Sequence, residues 1–238
     1  MPTRKSSESG IELLNDAQLA AVSRRKFLTF MGAGSAMIAT TMALSSCKKD
    51  DDMTNSNRID LGSGDVGILN YAYALEQLEA AFYQRVVDSL YSGISATEQA
   101  LLTDIRNHEA AHRNFFKVAI TAAGATPIPD LEVDFSSVNF GDRLSVLNTA
   151  KAFEDLGVTA YNGAGKLIQD PGYLTIAGKI VSVEARHAAL IADLLSNGTF
   201  SDTTDANGLD PARTPAEVLQ IADAYIVTAL NASNLPTS

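Results

Sequence analysis

Apolar residues recur at helical spacing in four long stretches of the 238-residue chain. In the first, about Val66 to Tyr91, the positions Leu69, Tyr73, Leu75, Leu78, Phe82 and Val86 form one stripe, which predicts an amphipathic helix. The second opens on Ser95-Ala-Thr-Glu98, a serine and glutamate spaced to cap each other's backbone N–H groups. It runs to about Gly124, a residue suited to the turn that ends a helix. A third helix is predicted over about Asp142 to Gln169. Asp170-Pro171-Gly172 then turns the chain, with its proline near the start of a fourth helix, about Tyr173 to Ser196, stopped by Asn197-Gly198. Thr214-Pro215-Ala216-Glu217 repeats the capping pattern and predicts a short fifth helix to about Leu230.

The connections sort these helices into pairs. Helices one and two, and helices three and four, are joined by short turns, so each pair should be an antiparallel hairpin. Between helices two and three lie roughly 17 residues with Pro127, Pro129 and no helical period, long for a compact domain. That length fits a crossover between two hairpins. The expected fold is all-α: a four-helix bundle over residues 66–198 with a long crossover, then a loop and a short helix over residues 199–238.

Composition is that of a globular protein, 46% hydrophobic and 19% charged, with a net charge of -10. The first 46 residues hold five of the 18 basic and three of the 28 acidic residues, which leaves the remainder at -12. Such a surface repels nucleic acid and anionic lipid, and those partners are set aside; it also serves solubility.

The basic N-terminus reads as an address. Ser23-Arg24-Arg25-Lys26-Phe27-Leu28 resembles a twin-arginine export signal. The run from Phe30 to Leu44 is too short and too rich in small residues to span a membrane comfortably. It ends in Leu44-Ser45-Ser46-Cys47, which resembles a bacterial lipobox and implies cleavage before Cys47 and a lipid on it. Cys47 is the single cysteine, so no internal disulfide can form. Residues 1–46 are therefore expected to be a signal peptide and residues 47–65 a polar, flexible tether. Lys48-Lys49-Asp50-Asp51-Asp52 resembles the export tag of some surface-exposed lipoproteins and reads equally as a solvated tether. These motifs imply export by the twin-arginine route and a lipoprotein of the bacterial envelope, periplasmic or surface-exposed. The route carries folded proteins, which suits a metal site loaded in the cytoplasm.

The candidate chemistry lies in glutamate and histidine spacing. Two of the three histidines follow a glutamate by three positions, in Glu109-Ala-Ala-His112 and Glu184-Ala-Arg-His187. With ten glutamates in the chain, one such coincidence has a chance of about one in 24, so two among three histidines are a pattern. Three residues advance a helix by about 4.5 Å and about 300°, so both side chains share a face. An internal repeat supplies the rest. Leu75-Glu76-Gln77-Leu78-Glu79-Ala80-Ala81-Phe82-Tyr83 aligns with Phe153-Glu154-Asp155-Leu156-Gly157-Val158-Thr159-Ala160-Tyr161, pairing Glu76 with Glu154 and Tyr83 with Tyr161.

Each half is then a glutamate helix followed by an E-x-x-H helix. Each histidine can bind one metal while its glutamate bridges to a second, and Glu76 and Glu154 add outer carboxylates. Four carboxylates balance two divalent cations; without metal they would crowd at a cost of several kcal/mol per buried ion unless protonated. Any one of these glutamates alone reads as a solvated helix face, but six ligands in matching register do not. Glu79, one turn from Glu76, is an alternate ligand; its repeat counterpart is Gly157, which favours Glu76. Tyr83 and Tyr161 share a face with the outer glutamates. They are placed either to bond to ligating carboxylates and give an electron in oxygen chemistry, or to fill the core. Gly163-Ala164-Gly165 is expected to permit close helix approach and lacks the phosphate-loop pattern.

The L-E-x-L-E-A-A-F-Y segment and both E-x-x-H helices resemble the ferritin-like superfamily over about Val66 to Ser196. Within it they resemble bacterial ferritin-like domain proteins related to plant desiccation-related proteins. The resemblance implies a di-iron or di-manganese bundle with Glu76, Glu109, His112, Glu154, Glu184 and His187 as ligands. It implies oxygen or peroxide as a reaction partner, or metal as the species oxidised. It names no single reaction, because the superfamily spans ferroxidases, peroxidases, oxygenases and manganese catalases. A lipid tether fits poorly with a large storage cage and leaves room for a homodimer.

Two other readings compete. A non-catalytic bundle with a stress-related or binding role would keep a metal site from its ancestry. His108-Glu109-Ala110-Ala111-His112 also spells the H-E-x-x-H of zinc proteases. That reading needs a third ligand, and Glu132 lies in the non-helical crossover. The repeat places Val183 opposite His108, so the two-metal reading makes His108 a bystander.

Overall fold

The computed structural model describes residues 58–237. The expected signal peptide, the lipidation site Cys47 and the tether as far as residue 57 lie outside the described residues. Four long helices follow: α1 (Gly64–Asp88), α2 (Ala96–Ala122), α3 (Arg143–Gly165) and α4 (Pro171–Leu195). A short α5 (Pro215–Ala222) comes near the C-terminus, and two two-residue strands, β1 (Ile59–Asp60) and β2 (Leu230–Asn231), pair in parallel. The helices pack as the hairpins α1–α2 and α3–α4, with α1 also against α3. This is a four-helix bundle with one short extra helix. Among the described residues no helix is long and apolar enough to cross a membrane.

Local chemistry explains where the helices begin. The side chains of Ser95, Asp142, Asp170 and Thr214 each accept hydrogen bonds from backbone N–H groups that the first turn leaves free. At Thr214 the box is reciprocal, because Glu217 accepts from the Thr214 N–H. At Ser95 the box is half made. Glu98 turns instead to Arg143, at 2.9 Å from Nε and 2.7 Å from Nη2. Arg143 Nη2 also donates to the Leu194 carbonyl at 2.7 Å. One guanidinium thus joins the starts of α2 and α3 to the end of α4. Helices α2 and α3 therefore begin at the same end of the bundle, which requires the long crossover. At the other end, Asp65 accepts from the N–H groups of Gln169 and Asp170, both at 2.8 Å.

The crossover is held by polar side chains buried in α1. Gln77 Oε1 accepts from the Leu131 N–H at 2.8 Å, and Asn70 Oδ1 accepts from the Ile128 N–H at 3.1 Å. An irregular chain crossing a bundle needs such partners for its backbone groups. Phe135, from the crossover, packs its ring 5.7 Å from Phe82, which lies 5.0 Å from Phe153 of α3.

Three expectations change. The tether ends before residue 65: Ile59 pairs with Leu230, Leu61 is fully buried, and Leu61 N–H donates to the Asn231 carbonyl at 3.0 Å. Helix α5 stops at Ala222 rather than about Leu230. Beyond it, Val227 N–H donates to the Glu132 carbonyl, and Ile226 bridges to Val133 of the crossover. Pairing with the crossover outweighs helical propensity in this β-branched stretch.

The third concerns Gly163. The close approach is by the backbone of Arg213 and not by a helix; a Cβ on Gly163 would overlap the Arg213 carbonyl. Gly163→Ala is accordingly expected to lower the chemical-denaturation midpoint, by about 1–3 kcal/mol in stability, even though alanine favours a helix. Gly178→Ala in α4, where an added Cβ meets nothing within 4 Å, should raise stability by up to about 1 kcal/mol.

Candidate metal centre

The helix faces that pack together carry the chemistry. Helix α1 contributes Glu76, Glu79 and Tyr83; α2 His108, Glu109 and His112; α3 Glu154 and Tyr161; α4 Glu184 and His187. Glu76, Glu109, Glu154 and Glu184 are each 0% exposed. Charged carboxylates are almost never so buried without a partner.

Their atoms converge in two overlapping groups. Glu76, Glu109, His112 and Glu184 bring one donor atom each within 4.8 Å of one another, and so do Glu109, Glu154, Glu184 and His187. Glu109 and Glu184 belong to both. His112 Nδ1 lies 2.9 Å from Glu184 Oε1, 3.5 Å from Glu76 Oε2 and 3.6 Å from Glu109 Oε2. His187 Nδ1 lies 2.8 Å from Glu109 Oε1 and 3.4 Å from Glu154 Oε2. Each histidine therefore sits nearest the glutamate of the opposite E-x-x-H.

The inward atoms are close but not aligned for hydrogen bonding. Oε2 of Glu76 and of Glu154, both oxygens of Glu109 and Glu184, and Nδ1 of His112 and His187 are buried and lack a hydrogen-bond partner. Eight such atoms in one place are a large departure from the rule that buried polar groups are paired, since each costs about 1–3 kcal/mol unmet. Carboxylate oxygens and imidazole nitrogens in this number are the donor set that divalent first-row metals take. The residues present fit two metal ions.

Two tyrosines turn the outer glutamates. Tyr83 donates to Glu154 Oε1 at 2.5 Å, and Tyr161 donates to Glu76 Oε1. Each phenol occupies one carboxylate oxygen and leaves the other for the cluster. The sequence places each tyrosine beside the glutamate of its own helix; the hydrogen bonds cross to the other half. Burial, followed by the neighbouring glutamate charges, keeps both phenols protonated.

Burial dominates the electrostatics. It pushes the carboxyls of Glu76, Glu79 and Glu184 above the usual range and Glu154 up to about 8. Burial also acts on Glu109, but His112 and His187 against it outweigh that and hold it down at about 2. Burial alone would lower the histidines. The carboxylates of Glu109, Glu184 and Glu76 raise His112 to about 12, and those of Glu109 and Glu154 raise His187 to about 10. Without metal, protons on the carboxyls and both imidazoles offset part of the charge in this cluster.

Glu79 lies beside the cluster and in neither donor group. It is 4% exposed, and its Oε1 lies 3.1 Å from the point where a Cβ on Gly157 would stand. Glu184 Oε2 is 3.5 Å from the same point. The missing side chain at Gly157 is what makes room for this fifth carboxyl.

His108 is the residue that sequence reasoning misplaced. Its Nδ1 lies 2.9 Å from His187 Nε2, and the two rings lie nearly coplanar and edge to edge, with centroids 5.1 Å apart and planes at 8°. Its partner comes from the other hairpin. A repeat alignment compares equivalent positions and cannot reveal a contact made once. His108 also belongs to neither donor group, so the zinc-protease arrangement with His112 is not assembled.

A family model described as the ferritin-like domain matches residues 64–197 of the chain. No curated protein matches it.

Proposed function

The chain belongs to the ferritin-like domain family, and from that premise we propose a dimetal-carboxylate protein of the bacterial envelope that activates oxygen or peroxide, or oxidises metal. The observation that carries this reading is the set of eight buried donor atoms without hydrogen bonds, shared between two overlapping groups. Glu76 and His112 would hold one ion, Glu154 and His187 the other, and Glu109 and Glu184 both. The ligand chemistry suits iron and manganese alike. Bound iron or manganese would supply one-electron chemistry between divalent and trivalent states.

The protein's own part is preparation. Helix packing excludes water and keeps the carboxylates converged, which strengthens their hold on a cation. Tyr83 and Tyr161 orient Glu154 and Glu76 by fixing one oxygen of each. Glu79, raised by burial and then by Glu184, keeps a proton within the core beside the cluster. The export reading rests on sequence: Ser23-Arg24-Arg25-Lys26-Phe27-Leu28 supports the twin-arginine route, and Leu44-Ser45-Ser46-Cys47 supports lipid on Cys47. We place the protein at a membrane surface on that tether, with a kinship to desiccation-related proteins and room for a homodimer.

Anaerobically reduced, metal-loaded protein should consume dioxygen or peroxide, seen as an absorbance change in stopped flow that metal-free protein lacks. A fully loaded centre inert to both would contradict the oxidative part of the proposal and leave a binding protein.

A further inference from the structure

A neutral imidazole carries one proton on two nitrogens, and a nitrogen that binds a cation must be the bare one. His187 directs Nδ1 toward Glu109 and Glu154, at 2.8 and 3.4 Å, and Nε2 toward His108 at 2.9 Å. If Nδ1 is to bind metal, the proton sits on Nε2 and donates to His108 Nδ1. His108 can accept it, with its own proton on the outward nitrogen. The rings lie nearly coplanar and edge to edge, with centroids 5.1 Å apart, which is the alignment an in-plane N–H···N bond needs and which opposes rotation of His187. The arrangement occurs once. The position equivalent to His108 in the second hairpin is Val183, which has no hydrogen-bonding group to offer. The His187 side chain is 6% exposed and that of His112 13%, so the supported histidine is also the drier one.

We infer that His108 is a positioning residue that fixes the tautomer and orientation of His187, making the half of the centre at Glu154 and His187 the tighter of two unequal metal sites. The inference rests on the dimetal reading. Its consequence is sequential loading: the His187 half fills first and the His112 half second. Partners of this kind beyond a metal ligand typically change affinity by about 10–100-fold.

The test is a manganese(II) titration of metal-free protein, with free ion followed by electron paramagnetic resonance. Wild type is expected to bind two ions with unequal affinities, and His187→Ala to remove the tighter. His108→Phe keeps a flat ring at that position but offers no acceptor; it should weaken the tighter site about 10–100-fold and leave the weaker one unchanged. His108→Asn, which returns an acceptor near the Nδ1 position, should restore most of that loss. Thermal unfolding of metal-free His108→Asn should match wild type, and His108→Phe, which leaves the buried His187 Nε2–H unpaired, should unfold slightly lower without weakening the second site. Wild-type affinities in His108→Phe, or equal weakening of both sites with a lowered unfolding temperature, would overturn the positioning role while leaving the dimetal reading intact. Wild type that binds fewer than two ions would overturn the dimetal reading itself, and the inference with it.

Discussion

Glu109→Gln should cost the protein both metal ions, and Glu184→Gln should do the same, whereas Glu79→Gln should cost it neither. The asymmetry follows from position. Glu109 and Glu184 are the residues common to both donor groups, and each stands within 3 Å of the histidine of the other half. Neutralising either removes an anionic ligand from both ions and leaves three carboxylates to balance four positive charges in a dry core, which is costly. Glu76→Gln and Glu154→Gln remove a ligand from one group each and should weaken one ion far more than the other. Glu79 is buried yet outside both groups, so its amide should leave two ions per chain. Elemental analysis of purified variants distinguishes these outcomes, and glutamine preserves the shape of the packed site. Two ions retained in Glu109→Gln would show that the shared position does not bridge.

The second large effect is a reversal in pH dependence on metal loading. In the metal-free protein, burial pushes Glu154 up to about 8, above its ordinary value, and raises Glu76, Glu79 and Glu184 as well. The folded state therefore binds more protons than the unfolded one above about pH 4.5, and stability falls as pH rises through the folded values. His112 and His187, raised to about 12 and about 10, act in the same direction: their contribution is complete below about pH 6.5 and is lost as pH climbs through those values. Glu109, held at about 2, opposes them only in acid, where its contribution fades as pH drops below about 4.5. Metal-free protein should thus lose on the order of a few kcal/mol between about pH 5 and 9. Metal displaces those protons, so metal-loaded protein should gain stability over the same range. Unfolding midpoints at several pH values, with and without chelator, give the two slopes; slopes of one sign would argue that the cluster does not exchange protons for metal.

How much of this was legible in sequence depends on the range of the interaction. The four helices were readable because their stripes, caps and stop residues are local. The spacing of Glu109 to His112 and Glu184 to His187 was readable for the same reason. Glu76 and Glu154 were found through the repeat, which converts a tertiary question into an alignment. What the sequence hid was made by contacts between distant segments. Glu98 abandons its own cap for Arg143, 45 positions away. Ile59–Asp60 becomes a strand only because Leu230–Asn231 lies beside it. Tyr83 and Tyr161 share a face with their neighbouring glutamates, yet each bonds to the glutamate of the other half. His108 meets His187 across 79 positions and has no counterpart in the repeat to announce it. A two-residue strand or a single crossing hydrogen bond leaves no periodic trace.

Two metal ions are expected to share Glu109 and Glu184 within the bundle. Anomalous X-ray diffraction from crystals of native protein, collected at the iron, manganese and zinc absorption edges, tests it most directly. Two iron or manganese peaks are expected, one beside Nδ1 of His112 and Glu76, the other beside Nδ1 of His187 and Glu154. A single zinc peak between His108 and His112, or no metal among these residues, would contradict it.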